Sequence, residues 1–140
     1  MSPPASPSAS PLRAASRAHI AEILRRANAG EELSGEDAET ARALQQHPEY
    51  HAYLALGAEA PDELDGMSPW AHVMMHATVE RQRHLLPDVE AAITRLQRRG
   101  LTEHEAQHRV AEILAHQIWF ILHERQPFNE EEYLQQIRAL

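Results

Sequence analysis

The chain has 140 residues and a formal net charge of −8, with no cysteine and with all thirteen of its basic residues arginine. The missing cysteine excludes disulfides, zinc–thiolate sites, iron–sulfur clusters and thiol nucleophiles, and the missing lysine excludes Schiff-base chemistry and a P-loop. The acidic balance argues against a nucleic-acid partner, because neutralising phosphates takes a basic face; its plainest meaning is solubility.

Residues 1–11, MSPPASPSASP, hold four prolines and nothing to bury, which predicts a disordered tail. Residues 12–140 are expected to form one all-α domain, a helical bundle of four main helices plus one or two short ones. Alanine and leucine dominate there, and the β-branched residues that favour sheets are scarce.

The first helix is expected over residues 12–29, with Ile20, Ile23, Leu24 and Ala27 at helical spacing and Gly30 as the stop. A second follows Ser34, whose hydroxyl is expected to cap it with Asp37 three residues on. Pro48 opens a short helix, and residues 57–66 read as an acidic, turn-rich connection. Ser68-Pro69 starts a helix that runs to about Leu85, and Pro87 starts another that stops at Gly100. Thr102 and Glu105 form a capping-box signature ahead of the longest helix, which runs to about Arg125. Residues 110–122 are apolar on nearly every side and read as the central helix, with Trp119 and Phe120, like Trp70 and Met74, expected in the core. Asn129 and Glu132 cap a last helix. No apolar run approaches the ~20 residues of a membrane span, and the N-terminus lacks a signal-peptide layout. The expectation is a cytoplasmic protein with no membrane partner.

Ten histidines are present, and six form pairs spaced by four: His47/His51, His72/His76 and His104/His108. Two pairs continue to a carboxylate at the same spacing, His72–His76–Glu80 and His104–His108–Glu112, and His116 adds a further step. A spacing of four stacks side chains one helical turn apart on one face. Imidazoles and carboxylates on facing helices then converge on a cation, as in other bundle proteins. A nitrogen and oxygen donor set suits zinc or iron first, and also manganese or nickel. The candidate ligands are therefore His72, His76, Glu80, His104, His108, Glu112, His116, His47 and His51. Glu80 and Glu112, if buried, require a cation or an arginine beside them. His19, His84 and His123 are isolated and are read as non-ligands.

His104 to His108 spells HEAQH, the HExxH of zinc peptidases, which would make Glu105 the candidate general base. Against a peptidase stand Ala111 and Leu114, where the longer peptidase motif needs Gly and His, the lack of a substrate-holding strand and the short chain. His76-x3-Glu80 with His104-x3-His108 also looks like the ligand arrangement of hemerythrin-type di-iron bundles. Glu105-x2-His108 is half of a di-iron carboxylate motif, and a three-histidine mononuclear site as in DinB-like bundles fits as well.

The segments HPEYH (residues 47–51), SPWAHVMMH (68–76) and EHEAQH (103–108), with Trp119 and the closing EEEYLQQIRAL (130–140), resemble the bacterial proteins grouped as domain of unknown function 1841. The resemblance implies a small helical bacterial protein with no established activity, and it supplies no catalytic residues. Three functions stand at this point: first a metal-binding bundle with a small-molecule or protein partner, then a non-catalytic interaction protein whose histidines pack, and last an HExxH zinc hydrolase or peptidase. The amphipathic helices are compatible with a homodimer.

Overall fold

The structure, a computed structural model, describes residues 11–140, with side chains from residue 14 onward. The tail expected over residues 1–11 lies outside the described residues except for Pro11, which opens the first helix. The elements are α1 (Pro11–Asn28), α2 (Gly35–Gln45), α3 (His51–Leu54), α4 (Pro69–Leu85), α5 (Pro87–Arg98), α6 (Glu103–Glu124) and α7 (Glu130–Arg138). Short 3-10 turns occupy Pro48–Tyr50 and Gly57–Glu59. Among the described residues there is no strand beyond an isolated Leu64–Met67 bridge, so the protein is all-α.

Local chemistry sets most helix starts. The Ser68 hydroxyl accepts from the Ala71 N–H at 3.2 Å, and Asn129 Oδ1 accepts from the Glu132 N–H at 3.1 Å. The expected cap at Ser34 is corrected: Ser34 precedes α2 but makes no side-chain cap bond. Gly35, the first helical residue, sits at φ +60°, whereas a cap closing on the first turn needs right-handed backbone there. Asp37 accepts instead from His19 Nε2 at 3.2 Å.

The chain divides into two compact units at Met74/Met75, and α4 begins in the first and ends in the second. In the first unit α1 packs against α2, α3 and the Gly57–Glu59 turn, burying Ile20, Ile23, Leu24, Leu44 and Leu54. Gly57, at φ +61°, is itself buried, and a Cβ there would stand 3.6 Å from that of Ala21. The positive φ is what keeps the position for glycine. Arg17 is buried with its charge matched: Nη2 reaches Asp62 at 2.6 Å and the guanidinium lies 5.3 Å from the centre of the Trp70 ring.

The second unit is built from the later turns of α4 with α5, α6 and α7. Val79, Val89, Ile93, Val110, Tyr133 and Ile137 are wholly buried, each aliphatic one contributing roughly 1.5–3 kcal/mol. The core face of α6 is Ala106, Val110 and Leu114, and its last buried residue is Gln117. Trp70 is buried as expected, but Trp119, Phe120 and Met74 are 47%, 42% and 46% exposed, which corrects their placement in the core. For the two aromatics the reason is length. The 22 residues of α6 span ~33 Å, against ~18 Å for the 12 residues of α5 and ~14 Å for the 9 of α7, so these partners are too short to cover both ends.

Candidate metal centre

The start of α6 fixes the register of two histidines. Thr102 Oγ1 accepts from the Glu105 N–H at 3.1 Å, and the Glu105 carboxylate accepts from the Thr102 N–H at 3.0 Å. This is the capping box, and it sets α6 rotationally with His104 and His108 one turn apart on the same side. It also occupies Glu105, which is exposed.

His76 of α4 meets this pair. His108 Nε2 lies 2.9 Å from His76 Nε2 and 2.9 Å from His104 Nε2. Imidazole ring centres in the triad are 4.4–4.8 Å apart. His76 is fully buried, and His104 and His108 are half-buried. A ring nitrogen has either one proton or one in-plane lone pair, so His108 Nε2 cannot make two well-formed hydrogen bonds to its two neighbours at once. A single cation accepts all three lone pairs.

Below the triad on α4, Glu80 is buried and supplied with donors. Its Oε1 accepts from Gln107 Nε2 and, at 3.1 Å, from Arg83 Nη1. Arg83 also bonds Glu90 at 2.6 Å and Glu103 at 2.6 Å. These contacts hold its guanidinium above the ordinary arginine range, the Glu90 bond foremost. The same bond holds the Glu90 carboxyl below the usual carboxylate range. The buried acid thus has the arginine that its burial requires.

The first unit holds a second pair. His47 Nε2 lies 2.9 Å from His72 Nε2, and His47 Nδ1 donates to Glu49 Oε1 at 2.6 Å. His47 is buried and its ring stacks on Tyr50 at 5.1 Å. Burial, and then the neighbouring Glu49, push the Tyr50 phenol up. His51, expected beside His47, points its Nε2 at the Leu44 carbonyl, 2.7 Å away, closing the end of α2. Glu112 and His116 are exposed on α6. Among the described residues, Glu80, Glu112, His116 and His51 are not brought into a converging group of ligand atoms, whereas His76, His104 and His108, and likewise His47 and His72, are. Glu49, Arg83 and Gln107 were not singled out by spacing. Only Arg83, three residues after Glu80, carried a visible signal.

The family model described as Domain of unknown function (DUF1841) matches residues 12–139. The chain belongs to this family. No curated protein and no solved structure matches it. For this DUF1841 protein the motif segments that hold the histidines all fall inside the matched span, and no described helix is long and apolar enough to cross a membrane.

Proposed function

We propose that this protein binds a divalent transition-metal ion through His76, His104 and His108. The observation that carries the proposal is His108 Nε2 at 2.9 Å from both other imidazole nitrogens, a contact that protons alone satisfy poorly. Three neutral imidazole nitrogens suit zinc or iron first, and also manganese or nickel, and they leave coordination positions for water or a small molecule. Glu80, clasped by Arg83 and Gln107, supports the helix faces rather than the ion in this reading. Glu105 stays with its cap, so hydrolysis of the peptidase type draws no support from it.

A second reading, a helical interaction protein with packed histidines, is favoured by the exposed Trp119, Phe120, Leu122 and Phe128. Elemental analysis of tag-free protein by mass spectrometry separates the two. Near-stoichiometric metal in the wild type, lost in His76→Ala/His108→Ala, supports the metal centre. No metal after growth and reconstitution with iron, zinc, manganese or nickel sinks it.

A further inference from the structure

The helix α6 carries two apolar faces. Ala106, Val110, Leu114 and Gln117 make the buried one. Ala115, Ile118, Trp119 and Leu122 make the other, a stripe about 100° wide and centred roughly 130° away round the helix. This second stripe stands in water: Ala115 is exposed, and Ile118, Trp119 and Leu122 are 37%, 47% and 70% exposed. From it we infer that the protein pairs weakly with a second copy of itself, the two α6 helices meeting antiparallel through these four residues. The pairing uses none of the triad histidines and stands whether or not they hold a metal. Trp119 is the anchor. Its ring stacks on His123 at 4.5 Å and meets Phe120 edge-on at 5.3 Å, and His123 Nδ1 donates to the Trp119 carbonyl at 3.0 Å. A large aromatic already held in place loses little freedom on docking.

A second copy fits because the stripe is complementary to its own reverse. A twofold axis passing near position 117 sets the large Trp119 of one copy over the small Ala115 of the other. The same axis brings Glu112, which borders the stripe beside Trp119, to the end of the other α6 that carries His123 and Arg125. Parallel pairing would set Trp119 against Trp119 and Glu112 against Glu112, a steric and a like-charge conflict. The area agrees with a weak dimer. The four side chains present about 400 Å² of apolar surface per copy. Two such faces with their rims bury about 1,000 Å², the low end for a specific interface. A lipid surface is the poorer occupant, since the acidic flank at Glu112 and the net charge of −8 are repelled by anionic headgroups.

The test is sedimentation velocity of the full-length chain from ~1 μM to ~200 μM. Wild type is expected to pass from monomer to dimer with a Kd on the order of 10 μM. Leu122→Glu sets a second acid beside Glu112 of the other copy and is expected to raise that Kd at least ~10-fold, with Leu122→Arg raising it less. Ala115→Glu is expected to act like Leu122→Glu from the other end of the stripe. Phe120→Ala, on the far side of the helix, is expected to leave the Kd unchanged. All these positions are exposed, and far-ultraviolet circular dichroism checks that the helices remain. The chain has no cysteine, so single cysteines report the register. Ile118→Cys lies near the axis and is expected to cross-link under oxidation, whereas Leu122→Cys, about 15 Å from its counterpart, is not. A wild type that stays monomeric overturns the inference, as does a dimer that Leu122→Glu and Ala115→Glu leave intact or that Phe120→Ala abolishes. Cross-linking through Leu122→Cys overturns the antiparallel pairing.

Discussion

Nε2 of His108 lies 2.9 Å from Nε2 of His76, a residue 32 positions earlier on another helix, and the same nitrogen lies 2.9 Å from His104. His108 thus links the two helices that form the triad, and in the metal reading each of the three histidines supplies one ligand.

His108→Ala is accordingly expected to weaken metal binding by roughly 100-fold or more, beyond the 10- to 100-fold typical of losing a residue that only supports a ligand. His104→Ala is expected to cost about as much, since it too removes one of the three ligands. Metal-free stability should fall by only ~1–2 kcal/mol in His108→Ala, since the ring is half-buried. Competition with a chromophoric chelator and urea denaturation of the metal-free protein measure the two effects. Wild-type affinity retained in either variant would remove that histidine from the ligand set.

Arg83 is the cation for a buried acid. Replacing it with methionine removes the Arg83 guanidinium from Glu80, which is 4% exposed and keeps its bond from Gln107. The expected cost is about 3 kcal/mol, the low end for a broken buried pair, and urea denaturation at pH 7 measures it. Glu90→Gln, which disrupts a two-bond pairing of Arg83 with a half-exposed carboxylate, is expected to cost under ~1 kcal/mol. The Glu90 pKa is depressed in the folded state, so the stability it contributes is present above its ordinary value near 4.5 and is lost as pH falls through the folded value. Denaturation midpoints of wild type and Glu90→Gln should therefore converge below pH 4.5.

How much of this was legible beforehand follows from what spacing encodes. Helix starts at Ser68, Thr102 and Asn129 were readable because a cap is a bond between near neighbours in sequence. Ser34 failed because the backbone at Gly35 turns left-handed, which a spacing of hydroxyl and carboxylate does not express. A spacing of four places His104 and His108 on one face, but it places Glu112 and His116 there equally, and it does not say how far the neighbouring helix extends. The exposed Trp119 and Phe120 follow from the same gap. For His47 and His51 the helical rule never applied, because His47 precedes the turn at Pro48. Glu49 was invisible for that reason, and Gln107 because a glutamine between two histidines carries no period of its own.

Glu105 gives a compact discrimination between a cap and a general base. Glu105→Ala removes the acceptor for the Thr102 N–H and is expected to cost about 1 kcal/mol, while bound metal stays at the wild-type level. Glu105→Gln, which keeps the capping geometry, should be within ~0.5 kcal/mol of wild type. Loss of a measured hydrolytic activity in Glu105→Gln, with folding and metal retained, would instead make this carboxylate the base.

Tyr133 limits the protein at high pH. Its phenol is buried and donates to Gln82 Oε1, and burial, partly offset by that bond, pushes its pKa up to about 12. The folded state thus holds the phenolic proton more tightly than the unfolded chain, whose tyrosine titrates near 10. Stability from this group is complete below about pH 10 and is lost as pH rises toward 12. Wild type is expected to unfold progressively over that interval, with the phenolate absorbance of Tyr133 appearing together with loss of helix. Tyr133→Phe leaves Gln82 without its donor, at a cost of ~1 kcal/mol at pH 7, but it removes the alkaline slope that Tyr133 contributes. An unchanged slope in Tyr133→Phe would assign the alkaline transition to another group.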